Sequence, residues 1–376
     1  MRRILLCIFL SVIFVAAVIT VSAEDEPVTI PPEYNEFMSE IPKDIADLLP
    51  DGLFDDNLGS QLDASNQITD FSFLVNAVLS ALGLCVGDCL RLLILLLSIV
   101  FISSVLNGVG DAIGGAKTAL AFCVKLVMFS AISASAIGIV GEVTEYFDRL
   151  TALTTATVPV MGVLYALGGN LTSAAVSGEL MSVFLSIFKY VNSSTVAPIF
   201  SLLLTFALMG ALSGGLRLGV VSDLIKRWYV TFLTVIMTVL GIAMGLQFSL
   251  AAKADGASMK GLKYIISTSV PVVGGAISGS MSTLAAGIGL MRTTFGVTVT
   301  VILILMILPI LIKLILYKHT FELAATVAEL VSGGGEGKLL RDISGMYGFL
   351  LAAASIASVV LVVAATLLSN TAVAYG

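Results

Sequence analysis

The chain has 376 residues, of which 58% are hydrophobic and only 12% charged, and its mean hydropathy is +1.06. Soluble domains carry about a quarter charged residues, so this composition argues against a water-soluble enzyme. The net charge of -6 hides an asymmetry. Thirteen of the 25 acids lie between Glu24 and Asp70, where Lys43 is the one base, and from Phe71 on the chain is mildly basic with no cluster that suggests nucleic acid.

Residues 1–23 read as a secretory signal peptide. Met1-Arg2-Arg3 is a positive start, Ile4 to Val21 is apolar, and Val21-Ser22-Ala23 is a small-residue cleavage pattern before Glu24-Asp25-Glu26. The rival reading is an uncleaved first transmembrane helix. On either reading Glu24 onward begins outside the cytoplasm.

Residues 24–89 form an acidic extracytoplasmic segment. Pro27 to Tyr34 reads as extended. Phe37, Ile41, Ile45, Leu48 and Leu49 then follow a helical stripe, closed by Pro50-Asp51-Gly52. A second stripe runs Phe71, Leu74, Val75, Val78, Leu79, Leu82. Both predict short amphipathic helices, which either pack on the membrane domain or dock a partner outside it.

Residues 90–376 read as the membrane domain. Six runs are long and apolar enough for full spans: about 90–109, 118–140, 195–214, 228–252, 295–316 and 347–368. Two further apolar regions, 151–190 and 264–294, are broken by Pro, Gly, Ser and Thr. Within them Thr157-Val158-Pro159-Val160-Met161-Gly162 returns, 112 residues later, as Ser269-Val270-Pro271-Val272-Val273-Gly274. The expected fold is an all-α polytopic membrane protein with about six full transmembrane helices. Two re-entrant Pro/Gly hairpins would sit in an internal repeat of about 112 residues, with repeat 1 at about 118–214, repeat 2 at about 228–316 and a final helix at 347–368.

This topology puts the N-terminus outside. Lys117, Arg217, Lys226, Arg227, Lys318, His319, Lys338 and Arg341 fall inside, as the positive-inside tendency requires. Lys253, Lys260 and Lys263 fall outside and oppose it. The repeats come out parallel, related by an axis along the membrane normal. If each broken region crossed once, the second copy would instead be inverted.

Non-helical backbone at membrane depth needs protein or a water-filled cavity around it, so the hairpins should face inward. Pro159, Gly162, Pro271, Gly274 and Gly275 are therefore the candidate hairpin and path residues. The candidate intramembrane charges are Lys125, Glu179, Arg292 and Lys313. The lysines have a plainer reading as chains that snorkel from a helix end. Glu179 and Arg292 lie 113 residues apart, at nearly equivalent repeat positions, where an inter-repeat pair would fit. Gly241 and Gly245 are the best-placed pair for close helix packing.

No catalytic, metal or cofactor site emerges. Cys85 and Cys89 share one helix face, in poor disulfide geometry. His319 is the one histidine, so neither a zinc site nor a Ser-His-Asp set can be built. Gly333-Gly334-Gly335-Glu336-Gly337-Lys338 imitates a phosphate loop. However, Ser332 stands where its first glycine belongs and Leu339 where Ser or Thr belongs, so the run reads as a flexible turn and no nucleotide is expected.

The order of features is leader, acidic amphipathic segment, apolar domain, Ser269-Val270-Pro271-Val272-Val273-Gly274-Gly275, then the span ending Leu308-Pro309-Ile310-Leu311-Ile312-Lys313-Leu314-Ile315-Leu316-Tyr317-Lys318. It resembles the stage III sporulation protein AE family of endospore-forming Firmicutes. The resemblance implies a multi-pass protein of the mother-cell membrane facing the forespore. It implies membership in the multi-protein channel, or feeding complex, that links the two cells, with other membrane and ring-forming proteins as partners. The family supplies no catalytic residues to carry over. The expected function is a non-enzymatic membrane subunit of that complex, and the alternative is a stand-alone secondary transporter of a small solute. Intramembrane acids would favour the alternative, and Glu179 is nearly alone.

Overall fold

The computed structural model describes residues 33–50, 52–53, 58–113, 116–212, 218–269, 274–331 and 335–369. The leader and Pro271 lie outside these residues. The described residues hold nine helices and no strand. Three are short: α1 (Glu33–Ser39), α2 (Lys43–Ala46) and α3 (Leu58–Thr69). Six are long: α4 (Phe71–Ile113), α5 (Ala116–Leu167), α6 (Leu171–Leu212), α7 (Leu218–Ser269), α8 (Gly274–Val331) and α9 (Glu336–Ser369). Each long helix is apolar enough to cross a membrane. Every span read from the sequence falls on one of them, the third running two residues past the end of α6. The second amphipathic stripe is not a separate helix, because Phe71 to Leu82 form the start of α4. The boundary drawn at residue 89 therefore falls inside α4.

Helix length was not legible. At 1.5 Å per residue the 52 residues of α5 run about 78 Å, against a hydrocarbon core of about 30 Å. Within region 151–190 the chain does not reverse at Pro159 or Gly162. Residues 151–167 continue α5 beyond the predicted 118–140 span without reversal, and the chain turns only at 168–170 before α6 begins.

Pro159 and Gly162 thus ride on a continuous helix. Pro159 lacks the N–H for one backbone bond, a cost of about 3 kcal/mol in a helix interior. Buried Val160, Met161, Leu164 and Tyr165 offset it by packing against the bundle. The turn before it is rich in threonines. The hydroxyls of Thr154, Thr155 and Thr157 donate to the carbonyls of Leu150, Thr151 and Leu153 at 2.7, 2.7 and 2.8 Å. Such back-bonding lets a helix accommodate an interior proline.

The reversal is a Schellman turn. Gly169 N–H donates to Ala166 O at 3.0 Å and Asn170 N–H to Tyr165 O at 2.9 Å. Gly169 has φ +77°, and a Cβ there would stand 2.9 Å from Met259 Sδ. Both facts demand glycine. The second copy of the motif is placed differently. It straddles the junction between α7 and α8, where Gly274 and Gly275 open α8.

The helix α8 is the centre of the bundle. Val299 and the run Val301–Ile307 are buried all round, as in a helix with neighbours on every side. On α7, by contrast, Trp228, Phe232, Val235, Val239, Ile242, Leu246 and Leu250 are 55–72% exposed. Their spacing keeps them on one face for about 33 Å, the thickness of a hydrocarbon core. Lys226 and Arg227 bound this stripe at one end and Lys253 at the other. A tryptophan at such an edge is a usual interfacial anchor.

A Cβ on Gly245 would stand an ordinary 3.8 Å from Leu367, and one on Gly241 would meet nothing within 4 Å. The tightest approach lies elsewhere. A Cβ on Gly296 of α8 would overlap Ser369 at the end of α9.

Candidate functional site

Two cavities adjoin halfway along the bundle, where α5 carries Glu142, Glu145, Asp148 and Arg149. The first is a cleft of about 300 Å³ between α4, α5 and α8. Lys313 enters it from α8 and donates to Glu142 Oε1 on α5 at 2.7 Å. Its ammonium also lies 5.9 Å from the centre of the Tyr317 ring. The Lys313 side chain is only 18% exposed and that of Glu142 is 45% exposed. Lys313 therefore does not snorkel to a helix end but bridges two helices. Asp88 and Cys85 of α4 line the same cleft, and the Cys85 thiol lies 3.7 Å from the carbonyl of Pro309.

The second cavity, of about 650 Å³, lies between α5 and α6. Hydroxyls line it, from Thr151 and Thr155 on one side and Ser182 and Ser186 on the other, with Pro159 in its wall. Lys189 and Asp148 pair across it at 3.5 Å. It is the one place where the structure brings Pro159 near a polar space.

The N-terminal segment lies over both cavities. Glu36 and Glu40 reach the second, and Pro42, Asp44 and Ile45 reach the first. Amphipathicity explains the seating. Tyr34 and Phe37 are buried, with ring centres 5.1 and 5.0 Å from that of Phe295 on α8. Burial pushes the Tyr34 phenol well above its ordinary pKa. Glu36, Glu40 and Asp44 are exposed and rim the cavities.

The other predicted site residues scatter. The Lys125 ammonium lies by Gly335 at the turn between α8 and α9, 3.9 Å from where a Cβ would stand. Glu179 is exposed on α6, whereas Arg292 is buried on α8 with its guanidinium 4.8 Å above the Tyr165 ring. The two do not pair. Glu336, Gly337 and Lys338 are not a flexible turn but the first turn of α9, where buried Glu336 accepts a 3.0 Å bond from Ser103 Oγ.

Two acids escaped the sequence reading. Glu142 sits just past a predicted span end, where an acid is unremarkable. Asp255, only 2% exposed, accepts the backbone N–H groups of Thr172 and Ser173 at 2.8 and 2.7 Å. It caps α6 from a neighbouring helix, and its sequence context of Lys253-Ala254-Asp255-Gly256 reads as an exposed loop. Among the described residues no group of three or more His, Cys, Asp or Glu is placed to hold a metal.

Six long apolar helices, five of them around the buried α8, with a lipid-thick apolar stripe on α7, define a polytopic α-helical membrane protein. The model of the stage III sporulation protein AE family matches residues 56–372, and this chain belongs to that family. It is 23% identical over 298 residues to stage III sporulation protein AE of Bacillus subtilis (strain 168), covering 79% of this chain and 73% of the relative. No solved structure matches the chain.

Proposed function

We propose that this protein is a non-enzymatic subunit of the channel complex between mother cell and forespore, needed for endospore development. It sits in the mother-cell membrane that faces the forespore. Its leader, residues 1–23, is removed, and the acidic segment from Glu24 lies outside the cytoplasm. Other membrane proteins and ring-forming proteins of the complex are its partners. The observation that carries this reading is the family match, which runs through all six long helices. The two cavities under the acidic segment support a path or a docking place on the outer side rather than a catalytic centre.

Deleting the gene in the spore-forming host tests it. The expected result is arrest after engulfment begins, loss of late forespore reporter activity, and rescue by the full chain. Normal spore yield in the deletion strain sinks the proposal.

The second reading, a secondary transporter of a small solute, draws on the Lys313–Glu142 pair in its cleft. Such a pair could exchange a proton or an ion during transport. Solute uptake by the purified protein in vesicles, abolished by Lys313→Met, would favour it.

A further inference from the structure

Arg292 is 95% buried with no anion beside it. It is 5% exposed, its Nε has no hydrogen-bond partner, and among the described residues no carboxylate forms an ion pair with it. Its one close electrostatic contact is the face of the Tyr165 ring, 4.8 Å from the guanidinium carbon. A cation–π contact offsets only part of the desolvation of a buried charge.

The position is defined from three sides. On α8, Arg292 lies one turn before Gly296, which abuts Ser369 at the end of α9. Tyr165 donates its hydroxyl to the Leu368 carbonyl on that same end. The third side is the hairpin tip. Gly168 fits between Asn170 Nδ2 and Ile288, and Ile288 is one turn before Arg292. Asn170 is also 5% exposed, and its Oδ1 is likewise without a partner. One junction therefore holds two buried polar side chains whose hydrogen-bonding capacity the described protein does not fill.

We infer that Arg292 is the core of a binding site for a small oxyanion, a carboxylate or a phosphate. The guanidinium is planar, and its in-plane N–H donors match the paired oxygens of such anions. The Tyr165 ring holds the guanidinium 4.8 Å from its centre, and Nε is left for the ligand. The Asn170 amide supplies a neutral second contact, since either end of an amide can turn to the ligand. The site lies apart from the Lys313 cleft, and the inference does not depend on the channel reading.

The test uses the full chain in detergent or nanodiscs. Inorganic phosphate and acetate are titrated separately at constant ionic strength against chloride, with melting temperature as the readout. The expected result is a saturable rise of a few degrees with at least one of the two. The anion that acts tells a phosphate ligand from a carboxylate one. Arg292→Gln should abolish the rise. Arg292→Lys, which keeps the charge but loses the fork, should shift the midpoint at least tenfold higher. No saturable rise in the wild type with either anion overturns the inference, as does an equal rise in Arg292→Gln. Should Arg292→Gln fail to fold, a midpoint in Arg292→Lys identical to that of the wild type overturns it.

Discussion

Asp255 on α7 holds the backbone N–H of Ser173 on α6 at 2.7 Å, so a carboxylate from one helical hairpin caps the first turn of the other. The N-terminus of a helix carries about half a positive charge and unpaired N–H donors, which is what an aspartate satisfies. The cap ties the start of α6, just after the α5–α6 turn, to α7.

Asp255→Ala should therefore loosen the hairpin tips. Two charge-assisted bonds are lost, and a change of about 3 kcal/mol follows from their usual worth. A fall in melting temperature, with faster proteolysis between residues 165 and 175, is the expected measurement. Asp255→Asn, which keeps one acceptor, should lie between the two. Unchanged proteolysis in the alanine variant would show that the cap is not what holds the tip.

Gly169→Ala should cost about 1–2 kcal/mol, because a left-handed conformation is strained for any residue with a Cβ. The crowding against Met259 adds to this. Gly162→Ala is the control. No atom stands within 4 Å of a Cβ at Gly162, and alanine is the better helix former, so this variant should melt at or slightly above the wild-type temperature.

Pro159→Ala should leave sporulation intact and raise thermal stability. Alanine restores one backbone bond to α5 and removes no break, since there is none. Spore yield and melting temperature of the membrane protein are the readouts. A loss of spores at a normal protein level would mean that the proline bends or opens α5 during function.

Lys313→Glu should lower the protein level or spore yield, because it sets two carboxylates together in a narrow cleft. Combining it with Glu142→Lys should restore both. The pair itself is worth only about 1 kcal/mol where one partner is half exposed, so the penalty comes mainly from the repulsion. A double variant no better than the single one would argue that the ion pair is incidental.

Cysteines introduced at Phe37 and Phe295 should be joined by a short thiol-reactive crosslinker that attaches through reducible disulfides, since the two ring centres lie 5.0 Å apart and each Cβ a few Å behind its ring. Locking the N-terminal segment over the cavities should reduce sporulation, with recovery on reduction, if the segment moves during function. Equal spore yield in locked and unlocked cells would assign the segment a fixed structural place.

The spans were legible because a bilayer demands about 20 apolar residues in a row, and that demand is written locally. In the stripe Phe37, Ile41, Ile45, Leu48, Leu49, the first three were legible from their spacing of four and are buried, whereas Leu48 is 43% exposed. The tip of the second hairpin, at Pro271, lies outside the described residues; the turn of the first was misplaced because Pro159 and Gly162 are weak local signals. Packing of Met161, Leu164 and Tyr165 overrides them, and no local pattern reports that packing. Lys313 was singled out, but Glu142 lies 171 residues away and no periodicity joins them. The same holds for Gly296 and Ser369, whose contact depends on how α8 meets α9. Of the sequence echo, the first copy falls inside a helix, and Pro271 of the second lies outside the described residues.

The apolar stripe of α7 ends at Leu250, but the helix does not. From Lys253 to Ser269 it continues for about 24 Å at 1.5 Å per residue. With the stripe in the bilayer, this part of α7 is a rigid post standing clear of the lipid headgroups. Any assembly seated on its tip is held off the membrane surface by that height. Helix length acts here as a spacer gauge.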